Sequence, residues 1–229
     1  MSVYGDLVAE HGLSAAHRLL LAAVPPGARV LDAGCASGYL AGLLVARGHE
    51  VTGIEADPAA AQAAREQAGV DVLTGDLERP EDLARLRGPY GVVVLGDVLE
   101  HLRDPARVLR ALRPLLAPDG LLVASLPNAV HWTARREILR GRFPQTDHGL
   151  FDRTHLHFYT RASARELLSG AGYRVLGEQP VPAPLPLEAH MPLPAGLREA
   201  AVRAAPGLLA LQFVFRARPA GDLACGRAA

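Results

Sequence analysis

The amino-acid sequence predicts a doubly wound α/β fold, in which helices cover both faces of a mostly parallel β-sheet. First, short apolar segments alternate with helical segments from residue 29 to residue 126. Second, the segment 91–96 is wholly apolar, as in a strand that is buried on both faces of a parallel sheet. Third, the 229 residues, of which 49% are hydrophobic, are enough to build one sizeable core.

The individual elements are predicted in chain order from their local patterns. Apolar side chains at helical spacing in 7–23 predict one or two N-terminal helices, which Pro25-Pro26-Gly27 ends. Asp57 and Pro58 suit the N-cap and the first turn of a helix. The predicted strands are 29–34, 50–55, 70–74, 91–96, 121–126, 173–177 and 208–216, and the other predicted helices are 38–47, 58–67, 104–116, 161–169 and 195–205.

We expect these elements to form one domain over residues 1–218. Residues 1–27 would form a helical cap at its N-terminus, and residues 219–229 a flexible tail. In the segment 128–160 the alternation of strands and helices fails. This segment holds the only Trp and four of the nine His residues.

The charge balance argues against a polyanionic partner. The 24 basic residues, all of them Arg, equal the 24 acidic residues in number, so the formal net charge is zero and we predict no nucleic-acid partner. No apolar segment approaches the roughly 20 residues that span a bilayer, and the N-terminus does not resemble a signal peptide. Cys35 and Cys225 suggest no disulfide framework. We therefore expect a cytoplasmic protein that does not bind membranes.

The strongest local signal is the segment Val30-Leu31-Asp32-Ala33-Gly34-Cys35-Ala36-Ser37-Gly38. A strand ends at Gly34 and a helix begins at Gly38, so backbone N–H groups are open to a ligand. A dinucleotide-binding turn would have the pattern G-x-G-x-x-G, whose third glycine is missing here. The G-x-x-x-G spacing after an acidic residue instead matches the pattern that binds the amino-acid end of S-adenosylmethionine (SAM). The predicted cofactor-binding residues in this turn are Asp32, Gly34, Cys35, Ala36 and Gly38.

Further candidate ligand-binding residues follow the other predicted strands at the same edge of the sheet. Glu55 ends the second strand, where a carboxylate can bind both ribose hydroxyls; a solvated acid at the end of a strand is the alternative. Asp76 can accept the adenine amino group while Leu77 packs on the ring. The predicted cofactor-binding residues after these strands are Glu55, Ala56, Asp76, Leu77, Gly96 and Asp97.

Residues 30–126 resemble the core of class I SAM-dependent methyltransferases throughout. The resemblance rests on the glycine turn, on Glu55, on Gly75-Asp76 and on Asp97-Val98-Leu99-Glu100-His101-Leu102. The nearest subgroup is that of ubiquinone-biosynthesis O-methyltransferases and related bacterial small-molecule enzymes. It implies SAM as methyl donor and a Rossmann-like, seven-stranded sheet whose last strand, for which 208–216 is the candidate, is antiparallel. The fold also places a substrate lid after strand five, which is the segment 128–160.

Some relatives in that subgroup hold a divalent metal with an acid-x-x-Glu-His cluster. Asp97, Glu100 and His101 have this spacing, and two carboxylates with an imidazole suit Mg²⁺ or Zn²⁺. The alternative is that Glu100 and His101 form local hydrogen bonds and line the substrate pocket. We favour this alternative and predict no metal.

The lid segment is rich in polar and aromatic residues, and it resembles the Thr-His-x-x-x-Phe/Tyr stretch of the subgroup. A histidine with a pKa near neutrality can take a hydroxyl proton during methyl transfer, which typically contributes about 10²–10⁴ in rate. Our first candidate for this base is His155, followed by His157 and then by His131 or His148. The residues that we expect to contact the substrate are His101, Trp132, His148 and Tyr159. Alternatively, Asp152, Arg153 and Thr154 only hold the lid together.

The predicted function is therefore methyl transfer from SAM to a small molecule, most readily to a hydroxyl of a sugar or a secondary metabolite. N- and C-methylation remain alternatives, because an amine or an activated carbon needs no base. A dehydrogenase is disfavoured by the missing third glycine and by the absence of any Lys. A non-catalytic SAM-binding scaffold is the alternative of another class. The sequence leaves open whether the protein is a monomer or a homodimer.

Overall fold

The computed structural model describes residues 14–185, 188 and 194–221. Our predictions for residues 1–13, for Cys225 and for residues 222–229 fall outside this part of the chain. The described strands are β1 (Arg29–Ala33), β2 (Glu50–Glu55), β3 (Asp71–Thr74), β4 (Tyr90–Gly96), β5 (Leu116–Pro127), β6 (Tyr173–Pro182) and β7 (Ala210–Pro219). The described helices are α1 (Ala15–Ala23), α2 (Tyr39–Val45), α3 (Pro58–Ala68), α4 (Pro80–Leu83), α5 (Pro105–Leu112), α6 (Trp132–Leu139), α7 (Arg161–Gly170), α8 (Ala195–Ala204) and α9 (Pro206–Leu209), with 3₁₀ turns at Leu99–His101 and Arg113–Leu115. None of the described helices has the length and apolar character needed to cross a bilayer.

The seven described strands form one sheet in the order β3-β2-β1-β4-β5-β7-β6. Strands β1 to β5 pair in parallel, whereas β7 is antiparallel to both β5 and β6. The predicted fold class is therefore confirmed, including the antiparallel last strand. The direction of winding reverses between β1 and β4, and in such sheets ligands bind at the carboxyl ends of the strands beside the reversal.

Apolar side chains on the two faces of the sheet form two separate cores. Along β4, Val93 and Leu95 belong to one core, whereas Val92 and Val94 belong to the other, and all are at most 1% exposed. The first core packs against α5 and α7, and the second packs against α1, α2 and α3. Burial of alternate side chains on opposite faces explains why β4 is apolar throughout.

Two helices begin with the side-chain caps that their sequences indicate. The Asp57 carboxylate accepts a hydrogen bond from the Ala59 N–H at 3.0 Å, and the Asp104 carboxylate accepts one from the Arg107 N–H at 2.9 Å. A proline follows each cap in the first turn, where no amide hydrogen is needed. Such caps contribute typically about 1 kcal/mol each. The interpretation of Asp57 as a helix cap is confirmed.

The fifth strand is longer than predicted. It begins at Leu116 rather than at residue 121, because Leu116 pairs with Tyr90. The register then shifts, so that Leu121 pairs with Val92. Pro118-Asp119-Gly120, which suggest a turn, lie within this irregularity of the strand. Strands β6 and β7 also extend beyond their predicted ends, because they pair with each other along most of their length.

The predicted lid segment, residues 128–160, contains a helix, α6, that its sequence pattern does not indicate. Its Ile138 and Leu139 are 51% and 87% exposed, so the helix has no regular buried face that would produce an apolar periodicity. The two ends of the segment meet, since the Ala129 N–H donates to the Tyr159 carbonyl at 2.8 Å. The segment therefore forms a long loop, beside the carboxyl end of β5, whose two ends are hydrogen-bonded to each other.

Candidate active site

The glycine turn after β1 has the backbone that its sequence requires. Gly34 and Gly38 have φ values of +81° and +80°, a region that favours glycine. A Cβ atom on Gly34 would lie 2.7 Å from Val98 Cγ2, and one on Gly38 would lie 2.7 Å from Ala64 Cβ. Gly34 thus allows the loop after β4 to approach the turn, whereas Gly38 allows α3 to pack against α2.

A cavity of about 370 Å³ opens beside this turn, at the carboxyl ends of β1, β2, β3 and β4. Ten of the eleven predicted cofactor-binding residues border it; the exception is Gly38, which lies at the start of α2. These bordering residues are Asp32, Gly34, Cys35, Ala36, Glu55, Ala56, Asp76, Leu77, Gly96 and Asp97. The predicted substrate residue His101 also borders the cavity. The fold therefore brings together most of the residues that the sequence suggests for the cofactor.

The Glu55 carboxylate is held by the backbone around the turn. Its oxygens accept hydrogen bonds from the Ala36 N–H and from the Asp57 N–H, both at 2.9 Å. These bonds fix the carboxylate at the end of β2 on the wall of the cavity. Its position suits the predicted contact with the ribose hydroxyls, which would add to the bonds already present.

Asp32 is a buried carboxyl on the wall of the same cavity. Its side chain is 2% exposed, and its Oδ2 atom has no hydrogen-bond partner among the described residues. Burial, reinforced by the nearby charge of Glu55, raises the pKa of Asp32 to about 7. A cationic ligand group at this position would supply the missing partner and favour the charged form.

The predicted adenine residues lie at the end of β3. Asp76 accepts a hydrogen bond from the Glu78 N–H at 2.8 Å through Oδ1, and its own N–H donates to Asp82 Oδ2 at 3.0 Å. Leu77 is buried and forms an apolar part of the cavity wall. A carboxylate beside an apolar wall suits an amino-substituted heterocycle.

Asp97, directly after β4, has a strained backbone and a fixed side chain. Its φ of +55° is in the left-handed region, which is uncommon outside glycine. The Asp97 N–H donates to Ser125 Oγ at 2.9 Å, and the Ser125 hydroxyl donates to Asp97 Oδ1 at 2.6 Å. The Gln212 amide lies 3.1 Å from both carboxylate oxygens. Side chains on β5 and β7 therefore fix the orientation of this carboxylate in the cavity.

Glu100, His101 and His155 form a cluster beside the cavity. Their potential ligand atoms all lie within 4.8 Å of one another. Glu100 is 1% exposed, and neither carboxylate oxygen has a partner among the described residues. Burial, followed by the charge of Asp97, raises the pKa of Glu100 well above its usual value.

The cluster differs from the metal-binding alternative that the spacing suggests. Asp97 is absent from it, because its carboxylate is bound to Ser125 and Gln212. His155 joins it from the lid, because the N–H groups of Leu156 and His157 donate to the Glu100 carbonyl at 2.8 and 3.1 Å. The donor set of one carboxylate and two imidazoles fits a divalent transition metal.

The lid histidines differ in their distance from the cavity. The His155 ring packs edge-on against the His101 ring with centroids 4.8 Å apart, and it does not itself border the cavity. His157 Nε2 lies 3.4 Å from the Arg103 carbonyl oxygen, and His148 is exposed. His131 is buried at the start of α6, where desolvation lowers its pKa to about 4. Among the lid histidines, His155 is therefore the one in contact with a cavity residue.

The two aromatic residues that we predicted to contact substrate also lie outside the cavity wall. Trp132 packs beside His131, with ring centroids 5.7 Å apart, and its Nε1 atom is buried without a partner among the described residues. Tyr159 is 9% exposed, and burial, with the charge of Glu100, raises its pKa to about 12. Both residues support the lid in this structure, and their contact with a substrate stays a prediction.

His17 and Tyr39, which we did not predict, face each other on the cavity wall. Their rings meet edge-to-face with centroids 5.7 Å apart. Burial lowers the pKa of His17, whereas the charge of Asp97 raises it to a smaller extent. The sequence does contain a signal for the position of His17. It precedes the buried Leu20 and Leu21 by three and four positions, so it lies on the same face of α1 as they do. The remaining bordering residues that we did not predict are Ser37, Leu40, Ile54, Gly75, Val98 and Leu102.

Solved structures share this fold. A SAM-dependent methyltransferase from Archaeoglobus fulgidus superposes with a TM-score of 0.67 at 16% identity, covering 94% of this chain and 99% of that one. The Burkholderia thailandensis 1,6-didemethyltoxoflavin-N1-methyltransferase, solved with 1,6-didemethyltoxoflavin and S-adenosylhomocysteine, gives a TM-score of 0.59 at 21% identity, covering 96% and 81%. At these identities the similarity supports the fold alone.

Sequence comparison identifies the family. The ubiquinone biosynthesis O-methyltransferase of Cereibacter sphaeroides is 37% identical over 126 residues, which are 54% of this chain and 51% of that protein. Its counterpart in Aeromonas salmonicida is 36% identical over 105 residues, 44% of each chain. The chain thus spans about half the length of these curated relatives. A sequence model described as a methyltransferase domain matches residues 9–178, well over half of the chain. The chain therefore belongs to the class I SAM-dependent methyltransferase family.

Proposed function

We propose that the protein transfers the methyl group of SAM to a hydroxyl oxygen of a small molecule, such as a sugar or a secondary metabolite. The observation that carries this proposal is the pair His101 and His155, which places an imidazole on the wall of the cofactor cavity and a second one behind it. The names of the curated relatives, ubiquinone biosynthesis O-methyltransferases, support oxygen as the acceptor atom. The balanced formal charge supports a small acceptor over a polyanion.

The cavity accounts for each part of the cofactor. We assign the amino-acid end of SAM to the turn between Gly34 and Gly38, with Asp32 facing its ammonium group. The ribose then lies against Glu55, and the adenine lies between Asp76 and Leu77. This order follows the strands β1, β2 and β3 across the sheet.

The reaction is an in-line displacement at the methyl carbon. The acceptor oxygen attacks the carbon, the carbon–sulfur bond breaks with its electron pair going to sulfur, and S-adenosylhomocysteine (SAH) leaves. The acceptor proton passes to a base. Because the sulfonium is already reactive, most of the catalysis consists of aligning oxygen, methyl and sulfur in a dry cavity.

We assign the first contact with the acceptor proton to His101. Its Nδ1 lies 3.2 Å from the carbonyl oxygen of Thr154, which can only accept a hydrogen bond. This contact favours the tautomer with hydrogen on Nδ1, which leaves Nε2 able to accept a proton. His155, our first choice from the sequence, packs directly behind this ring, and its pKa is lowered by burial and by His101. His155 stays a candidate base, acting with or after His101.

Substitution of the two histidines tests this proposal. Labelled methyl transfer from SAM is first measured against a panel of phenols, catechols and sugars to find an acceptor. We expect His101→Ala to lower kcat at pH 7.5 by about 10²-fold or more and His155→Ala to lower it by a smaller factor, because general-base catalysis contributes about 10²–10⁴. Gln145→Ala, at an exposed lid position that we assign no role, is the control. Full activity of His101→Ala and His155→Ala would contradict the assignment, and labelling of no hydroxyl compound would contradict O-methylation.

One observation favours N-methylation as a second candidate. The Asp97 carboxylate on the cavity wall accepts hydrogen bonds from the neutral groups of Ser125 and Gln212, so its charge remains available to orient an amine. An amine panel in the same labelling assay tests this candidate. A protein that binds SAM but labels neither panel nor a cell extract would instead act as a SAM-binding scaffold.

The expected absence of a metal is tested independently. A divalent ion bound by Glu100, His101 and His155 would polarise the acceptor oxygen, and these donors fit such an ion. We predict that the protein works without it, with methyl transfer unchanged after dialysis against EDTA. Loss of activity in EDTA with recovery in Zn²⁺ or Mn²⁺ would contradict this prediction.

A further inference from the structure

Three carboxylates on the cavity wall, those of Asp32, Glu55 and Asp97, have no Arg partner among the described residues. Asp32 has a buried oxygen without any hydrogen bond, and Asp97 accepts hydrogen bonds from the neutral groups of Ser125 and Gln212. The third nearby carboxylate, Glu55, already binds two backbone N–H groups. SAM carries two positive charges at such a wall, its α-ammonium and its sulfonium. The numbers of free carboxylates and ligand cations therefore match.

The geometry around Asp97 shows that its orientation is imposed by the fold. A non-glycine residue in the left-handed region, such as Asp97, is strained and persists only where its surroundings enforce it. Here the Ser125 hydroxyl binds both the N–H and the Oδ1 of Asp97, and the Gln212 amide binds both carboxylate oxygens. Ser125 and Gln212 come from β5 and β7, two strands packed side by side. The carboxylate is thus oriented before any ligand binds.

The positions of the two carboxylates assign one cation to each. Asp32 belongs to β1 and lies beside the turn that we assign to the amino-acid end of SAM. The methyl group on the sulfur must point to the acceptor, which we place at His101, and Asp97 lies on the cavity wall in the same loop after β4 as His101. The geometry points to Asp97 as the residue that faces the sulfonium, with Ser125 and Gln212 as its positioning residues. This inference rests on the methyl-donor part of the proposed function, and it replaces the amine-orienting role of Asp97 in the second candidate function.

A carboxylate that faces the sulfur atom would distinguish SAM from SAH. SAM has a sulfonium and SAH has a neutral thioether, while the ammonium, ribose and adenine are common to both. A fixed carboxylate beside the sulfur therefore attracts SAM and gains little from SAH. After methyl transfer this attraction disappears, which favours release of the product. The same residues would thus limit product inhibition.

Calorimetric titration with SAM and with SAH at pH 7.5 tests the inference. Asp97→Asn keeps the side-chain shape and tolerates the left-handed backbone; it removes the charge together with one of the two hydrogen bonds from Gln212, and keeps an oxygen for Ser125. We expect it to weaken SAM binding about tenfold while SAH binding changes by less than about twofold. Gln212→Ala, which leaves the charge but loosens its position, should weaken SAM binding selectively by about threefold. Gln179→Ala is the matched control, since Gln179 is exposed on the neighbouring strand β6 and should leave the ratio of affinities unchanged.

The outcomes separate this inference from the proposed function. Equal weakening of SAM and SAH by Asp97→Asn would place the carboxylate at a group common to both ligands and overturn the inference. Unchanged binding of both would mean that Asp97 does not face the cofactor, which also overturns it. Failure of the unsubstituted protein to bind either ligand would overturn the methyl-donor part of the proposed function as well. If the protein does not act on hydroxyl acceptors, these titrations still test the role of Asp97, because they measure only the binding of SAM and SAH.

Discussion

The buried Asp32 carboxyl makes cofactor binding depend on pH. Its pKa is raised from an ordinary value near 4 to about 7 in the free protein, so a large fraction is protonated at neutral pH. The SAM ammonium binds the ionised form, so affinity is complete above pH 7 and is lost as the pH falls through 7. Between pH 7.5 and pH 6 we expect the Kd for SAM to rise about tenfold, which follows from the ionised fraction. Calorimetry at each pH measures this change.

Asp32→Asn is the control for this pH dependence. The variant has no titrating group at this position, so its SAM affinity should be weak and nearly constant over the same range. Titration in two buffers of different ionisation enthalpy should also show that the unsubstituted protein releases a proton when SAM binds at pH 6.5. A Kd independent of pH in the unsubstituted protein would rule out Asp32 as the partner of the ammonium.

Residues near the cavity were predictable where their signal is local in sequence. Asp32, Gly34 and Glu55 stand at the ends of recognisable strands, and the sheet brings such ends together. The roles of His101 and His155 were harder to rank, because their contact depends on how the lid folds back onto Glu100. His17 was not predicted, because the helical pattern of α1 is formed by its apolar positions and one polar residue on the same face does not change it.

At the scale of elements, the lid is held to the core by a few backbone hydrogen bonds. The Leu156 N–H donates to the Glu100 carbonyl at 2.8 Å, and a proline at this position would remove the donor. Leu156→Pro should therefore make backbone amides in 140–160 exchange with solvent about tenfold faster, since one net hydrogen bond contributes about 0.5–1.5 kcal/mol. Hydrogen exchange read by mass spectrometry measures this. SAM affinity should stay within about twofold.

Leu156→Ala is the matched control for this substitution. It removes the side chain, which is 54% exposed, but keeps the N–H group, so exchange in the lid should remain close to that of the unsubstituted protein. Equal acceleration in both variants would show that the Leu156 side chain, and not its backbone, holds the lid. No acceleration in Leu156→Pro would show that this hydrogen bond is not needed for lid closure.

Elements with strong periodicity were predictable, and those defined by pairing were not. Strand β4 is a continuous apolar segment and helix α5 has apolar residues at helical spacing. Both lie close to their predicted ranges. The start of β5 at Leu116 depends on a partner in β4, which no local pattern contains. Helix α6 lacks a continuous buried face, so its apolar residues indicate no helix.

The architecture of the molecule could be predicted because the chain repeats one unit. Alternating strands and helices of this length have few right-handed arrangements, so the parallel part of the sheet follows from the order of its elements. The insertion of β7 between β5 and β6 does not follow from that rule, and the family resemblance implied only that the last strand is antiparallel. This insertion matters for the site, because it brings Gln212 to Asp97 from a position 115 residues away in the sequence.

The charge of the whole chain leads to a prediction about the size of the acceptor. With 24 basic and 24 acidic residues, the chain has no surplus charge to attract a polyanion. We expect fluorescence anisotropy with labelled tRNA or duplex DNA to show a Kd above about 100 μM at 150 mM salt, which is at or beyond the weak end of non-specific binding. The titration is repeated at 50 mM salt, where binding through phosphate contacts would strengthen steeply. Tight binding that weakens sharply with salt would reveal a local basic surface and would contradict a small-molecule acceptor, because the methyl group would then have a macromolecular target within reach.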